Sequence, residues 1–182
     1  MGISLISAIN ANPVDQNLLQ ASTFQVTFSR LPYPTFFVQQ ANLPGISTVP
    51  PEQTTTFVTV PKAPGHMTYE RFVMTFAVDE ELWSWTSIQD WLKGMTIPDN
   101  FQEYRNLSLQ QRLQMQSEFP QYSDAILTIL SNKNNPILSV QFKDMFPISL
   151  SSIQFDTKQD ASNIITATAV FAYATYYVNR QV

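Results

Sequence analysis

The side chains able to do acid–base, nucleophilic or metal chemistry are few in this 182-residue chain: a single histidine, His66, and no cysteine. Without sulfur there is no disulfide framework, no thiolate zinc site and no thiol nucleophile. One histidine excludes a multi-histidine metal site and leaves a His-based triad without support, so His66 reads as an ordinary loop residue. The four glycines, Gly2, Gly45, Gly65 and Gly94, are too far apart to cradle a phosphate or to build a nucleophile elbow. Asp79-Glu80-Glu81 is the densest carboxylate group, but the paired acids of a glycosidase come from separate strands across a cleft, and capping of a helix accounts for all three. Ten basic residues stand singly against fourteen acidic ones, for a net charge of -4, which lacks the cationic excess needed to hold phosphates tightly. The residues imply a protein that is not an enzyme and uses no cofactor and no metal.

The surface is unusual in another way. Charged residues make up 13% of the chain, about half the usual share of roughly 25%, while Ser, Thr, Asn and Gln together supply about one-third of it. A neutral, hydrogen-bonding and aromatic exterior suits a subunit covered by partners better than a lone monomer kept dispersed by charge. No run of 18 apolar residues occurs, so no segment is expected to span a bilayer as a helix. The opening Met1-Gly2-Ile3-Ser4-Leu5-Ile6-Ser7 lacks a basic leader and a long apolar core, and Ile6 stands where an acylation signal needs Ser or Thr. A chain made in the cytosol is the expectation, with no membrane partner.

Periodicity then places the elements. Residues 1–21 show no clear period and read as an N-terminal arm; 22–182 read as a single domain. Phe24, Val26 and Phe28 alternate with Gln25 and Thr27, the pattern of a strand with one buried face. A second strand is expected over Thr35–Gln40, followed by a tight turn at Leu43-Pro44-Gly45. Residues 46–69 carry Pro50, Pro51, Pro61 and Pro64 around the β-branched run Thr54–Val60, which reads as a long excursion bearing an edge strand. Arg71–Val78 alternates again through Phe72, Met74 and Phe76. A helix is expected next, capped by Asp79 with Glu80 and Glu81 in its first turn, stopped by Lys93-Gly94, and apolar along Leu82, Trp85, Ile88, Trp91 or Leu92, and Met95. Trp83 falls partly off that stripe, packing at its edge or meeting a partner. A Gln-rich insertion covers 96–122, with a short helix over Ser108–Gln116. Strands are expected at Asp124–Leu130, Ile137–Phe142 and Ile148–Phe155, and Ile164–Val178, apolar in both alternation sets, reads as a strand buried on both sides. Seven or eight strands with one packed helix give a mainly β fold, a sandwich or barrel.

The order of elements resembles the tail-tube proteins of contractile-tailed bacteriophages, related to the tube protein of type VI secretion. The resemblance rests on Phe24-Gln25-Val26-Thr27-Phe28, on Phe36-Phe37-Val38-Gln39-Gln40-Ala41-Asn42-Leu43-Pro44-Gly45, on the Pro-rich excursion, on a single Trp-bearing helix and on a closing pair of long strands, over roughly 22–178. It implies a structural virion protein, made in the host cytoplasm and placed in the tail, whose copies form six-fold rings that stack into a channel. Implied partners are further copies of the chain and neighbouring tube, sheath, neck or baseplate proteins, with DNA passing without specific binding. On that resemblance Leu43, Pro44, Gly45, Phe57, Val58, Val60 and Trp83 are expected at subunit interfaces, and Thr166 and Thr168 along the channel. The Val78–Glu81 entry to the helix and the 96–122 insertion look more like a tube-end protein, terminator or initiator, than the repeating tube subunit. The alternative from the residues alone is a monomeric β-barrel that binds a ligand or partner.

Overall fold

The computed structural model describes residues 18–19, 23–31, 37–96, 101–102, 105, 121–156 and 164–180. Within these the chain forms β1 (Phe24–Phe28), β2 (Val38–Ala41), β3 (Ile46–Ser47), β4 (Glu52–Thr54), β5 (Thr59–Pro61), β6 (Thr68–Tyr69), β7 (Phe72–Ala77), helix α1 (Trp83–Thr96), β8 (Ser123–Leu130), β9 (Pro136–Leu150), β10 (Thr166–Ala172) and β11 (Thr175–Arg180). Seven strands make the body; β3 to β6 form two small two-stranded sheets outside it. The expected arm over 1–21 lies outside the described residues except for exposed Leu18 and Leu19, and so does the expected helix over Ser108–Gln116.

The body is two layers that share one strand. β9 pairs with β8 and β11 over its first half and with β10 over its second, all antiparallel. One layer runs β1-β8-β9-β11; the other runs β9-β10-β7-β2. The two strands expected at Ile137–Phe142 and Ile148–Phe155 are therefore one strand of 15 residues, which ends at Leu150. The polar pair Lys143-Asp144 that interrupts the apolar pattern marks a bend and not a turn. Asp144 has φ 53°, and its N–H donates to Asp124 Oδ1 at 3.4 Å. A single left-handed residue redirects a strand without ending it.

Alternation explains the core. β7 buries Phe72, Met74 and Phe76 and leaves Val73, Thr75 and Ala77 half-covered. Opposite them lie Val26, Phe28, Leu127, Val140 and Phe142 of the other layer. Rings meet at offset or tilted angles, Phe72 to Phe142 at 5.1 Å and Phe28 to Phe171 at 5.3 Å between centroids, the arrangement favoured by aromatic quadrupoles. Helix α1 closes the core with Ile88 and Trp91, so Trp91 and not Leu92 is the fully buried member of the stripe.

The helix begins later and ends later than its sequence suggests. Asp79 does cap it, but from outside: its carboxylate accepts from Trp83 N at 2.9 Å and Ser84 N at 2.8 Å, and also from the Ser84 hydroxyl. Residues Asp79–Leu82 form a preceding turn with Leu82 at φ 61°, so Glu80 and Glu81 fall before the first helical turn. Gly94 is buried inside the helix, which continues to Thr96; one glycine in a packed helix costs only about 1 kcal/mol relative to alanine.

Two further expectations change. Leu43-Pro44-Gly45 makes no tight turn; it runs extended beside Glu70, with Glu70 N donating to the Gly45 carbonyl at 3.0 Å. Thr54–Val60 is not one edge strand either. The chain doubles back at 55–58, where Thr55 N donates to the Val58 carbonyl and Val58 N to Thr55 Oγ1, so β4 and β5 pair with each other. Residues 42–71 thus form one long hairpin arm, paired at its base through β3 and β6 and at its end through β4 and β5. Finally, 164–178 is not buried on both sides. Ala167, Ala169 and Phe171 face the core, but Ile164, Ile165, Tyr177 and Val178 are exposed, because a single chain supplies a covering layer for one face only.

Candidate assembly surfaces

Three surfaces are candidates for contact with other chains. The first is the arm. Ile46, Val49, Phe57, Val58, Val60 and Met67 are all exposed large apolar side chains within it, and Phe57 at the tip is 96% exposed. Apolar groups gathered on one projecting element are the mark of a surface that another protein covers. Of the residues expected at interfaces, Phe57, Val58 and Val60 come together here. Ile46, Val49 and Met67 escaped sequence reading, because flanking prolines and short strands give no periodicity to find them by.

At the arm's base the expected set divides. Leu43 is exposed, Gly45 half-buried and Pro44 buried, its carbonyl accepting from Tyr176 Oη at 3.3 Å. Gly45 has a local reason to lack a side chain: its N–H donates to Glu70 Oε2 at 3.2 Å, and a Cβ there would stand 2.9 Å from the same oxygen. Trp83, on α1, is 54% exposed and donates its indole N–H to Glu81 Oε2, so the carboxylate expected in the helix's first turn instead orients an outward indole.

The second surface is the outward face of the layer β9-β10-β7-β2. Register places Thr168 opposite Thr75 and Val170 opposite Val73, and the two threonine hydroxyls meet at 3.2 Å. Gln40 continues the row beside Thr75, and Ser149 beside Val170. Thr166 is exposed at one end and Thr168 half-buried in the middle. The row carries no charge: threonine, glutamine and serine side chains alternate along it with the apolar pair Val73 and Val170. The third surface is the pair of strand edges that end this layer. Among the described residues, no strand pairs with the outer edge of β2 or with the free edge of β9 over 146–150. Unpaired edges are templates for another chain.

Inside the body, charge is handled by stacking. The Arg30 guanidinium lies 5.2 Å from the centroid of the Trp91 ring, and burial pushes its pKa down to about 10, still well above neutrality. Trp91 also donates to the Gln121 carbonyl at 3.0 Å, which fastens the end of the expected insertion to the helix. His66 sits exposed on the arm. Among the described residues no three His, Asp or Glu side chains gather as metal ligands would, and no helix is long and apolar enough to cross a membrane.

This arrangement has known counterparts. A sequence profile described as phage tail tube protein matches residues 12–179. The tail tube terminator protein of Enterobacteria phage T4 is 27% identical over 113 residues, 62% of this chain and 57% of that protein, so the match spans little more than half the relative's length. Among solved structures, the chain is similar to one in the anti-feeding prophage cap, a tube terminating cap (TM-score 0.64, 17% identity, 96% of this chain and 99% of that one). It is also similar to chains of an extracellular contractile injection system named PVC. One belongs to its sheath-tube complex (TM-score 0.62, 12% identity, 91% and 94% covered), and another to its sheath/tube terminator (TM-score 0.60, 14% identity, 90% and 98% covered). At these identities the likeness is one of fold, and the profile covers nearly the whole chain. The chain belongs to the phage tail tube protein family.

Proposed function

We propose that the chain is a structural subunit of a phage tail tube, or of the end of one, whose copies close into a six-fold ring around a channel for DNA. The observation that carries the reading is the neutral outward face of the β9-β10-β7-β2 layer, bounded by two unpaired edges. Joining the β2 edge of one copy to the 146–150 edge of the next continues the sheet, and a cyclic arrangement leaves neither of these two edges exposed. The joined faces line the channel, with Thr166 and Thr168 toward it. A lumen without cationic side chains releases no counterions from DNA and gives a polyanion nothing to bind.

The arm supplies the second contact. Phe57, Val58 and Val60 lie too far from the chain's own core to be covered by it, so they bury against a neighbouring copy, with Leu43 at the arm's base. Trp83, outside both surfaces, is offered to a different partner of the tail, a sheath, neck or baseplate protein. The protein is thereby a component of the virion tail, assembled in the host cytoplasm, and its work is structural rather than enzymatic. Similarity to terminators in three systems supports a tube-end role.

Negative-stain imaging of the purified protein, paired with its mass in solution, tests the reading. Rings with a central hole and a six-fold mass are the expected result, and rings that do not stack support the tube-end role. A monomer of 20.7 kDa at every concentration, including after mixing with tube or neck proteins of the same tail, overturns it.

A further inference from the structure

The base of the arm is tied to the body by the hydroxyls of three tyrosines, Tyr173 in the core and Tyr69 and Tyr176 packed against it. Tyr173 donates its hydroxyl to the Glu70 carbonyl at 2.8 Å, and Tyr176 donates to the Pro44 carbonyl at 3.3 Å. These carbonyls lie on the two opposite strands of the arm, one on each side of its base. Tyr69, on the arm itself, shares a hydrogen bond with Thr175 Oγ1 at 3.4 Å. The three rings stand 5.5 to 6.0 Å apart and stack onward to Phe142, 5.0 Å from Tyr173, and so to Phe72 in the core. Tyr173 and Thr175 flank Ala174, at the break that divides β10 from β11.

We propose that Tyr69, Tyr173 and Tyr176 form a lock that holds the arm in one direction in the unassembled subunit and ties that direction to the β10–β11 break. The arm has few means of its own to hold a course. Its base carries the short pairings Ile46 to Tyr69 and Ser47 to Thr68, the two bonds between Gly45 and Glu70, and Asn42, whose N–H donates to Val73 O and whose side chain bridges Arg71 O and Val73 N. A two-stranded ribbon of this length is marginal alone in water. Hydroxyls anchored by packed rings turn its root into an extension of the core. Burial, reinforced by repulsion from the neighbouring tyrosines and Glu70, pushes the Tyr173 pKa up to about 12, so the hydroxyl keeps its proton and remains a donor. Where the arm engages a neighbouring copy, which rests on the reading above, its displacement pulls on the strand that carries Thr166 and Thr168.

The test is hydrogen exchange by mass spectrometry on the full chain, wild type against Tyr173→Phe/Tyr176→Phe, with sedimentation confirming the same assembly state for both. The substitutions keep the rings and remove only the hydroxyls. Arm-base amides, Asn42 and Glu70 among them, are expected to exchange about tenfold faster or more in the variant. Amides of Met74 and Val140 in the core should exchange unchanged, and Tyr177→Phe, a tyrosine on β11 outside the ring stack, should change neither. Should the double variant fail to fold, Tyr176→Phe alone serves, since its bond is the longer and its side chain half-exposed. Equal exchange in wild type and variant at the arm base overturns the lock, and so does an acceleration shared equally by base and core. Absence of rings in the wild type counts against the proposed function and leaves the lock intact, because exchange is read within one subunit.

Discussion

At the scale of single residues, chemistry that resembled a reactive cluster proves to be architecture. Asp79 is the clearest case. Burial raises its pKa, but hydrogen bonds from the Ser84 hydroxyl and N–H and from Trp83 N outweigh that and hold it below the ordinary carboxylate range. A depressed carboxyl contributes stability that is present above its unfolded pKa and is lost as pH falls through the folded value. Asp79→Ala is therefore expected to destabilise the protein by about 1 kcal/mol at pH 7. The gap between variant and wild type in urea melts should close as pH drops below about 4. A gap that persists undiminished at low pH would show the loss to be packing and not the charged cap. Asp144 makes a different prediction. Its φ of 53° suits Asp, Asn and Gly but not a β-branched side chain, so Asp144→Val should cost about 1–2 kcal/mol in a urea melt while Asp144→Gly is near neutral. Asp79 was legible in the sequence as the cap of a helix, whereas nothing there singled out Asp144, since its role depends on Asp124, twenty positions away.

At the scale of elements, strands with one buried face were legible and elements shaped by distant partners were not. Phe24–Phe28 and Phe72–Ala77 alternate because one face meets the core, and that periodicity is a local property of the chain. β9 broke the rule: its bend at Lys143-Asp144 looks locally like a turn, and its continuity depends on β8, β11 and β10 arriving from elsewhere. The arm broke it too, since its short strands carry their apolar residues outward. Phe57→Ser should leave the melting temperature within about 1 °C, as a nearly fully exposed side chain contributes little to the fold, but should weaken ring formation measured by sedimentation. Within α1, Ile88→Ala is expected to cost about 2–5 kcal/mol because the side chain is completely buried beside Trp91. Opposite effects of these two substitutions on stability and assembly are what the proposed division of labour between helix and arm predicts.

At the scale of the whole molecule, the low charge content bears on the proposed association of copies. Contacts made by apolar side chains and strand edges are screened little by salt, whereas contacts between exposed charges weaken as the Debye length shrinks. Rings are expected to keep their mass from 0.05 to 1 M sodium chloride, values chosen to bracket a Debye length from about 14 to 3 Å; dissociation at the high end would mean that ion pairs hold them. Replacing 52–64, the distal half of the arm, with a short glycine linker should preserve the fold, since these residues bury nothing in the core, and should lower the oligomer mass. An unchanged mass would remove the arm from the interface.

What the sequence by itself determined is what depends on neighbours along the chain. It showed a mainly β fold with one Trp-bearing helix, the core faces of β1 and β7, the near absence of reactive side chains, and an exterior suited to burial by partners. Tertiary structure alone decided the rest. It joined two apparent strands into β9, split the closing strand at Tyr173-Ala174, and folded the Pro-rich excursion into an arm. It also buried Pro44 while leaving Phe57 exposed. The physical reason is the same in each case: periodicity records whether a residue meets an interior, but which interior, and whether this chain or another supplies it, is set by contacts between residues a hundred positions apart, as between Tyr173 and Glu70.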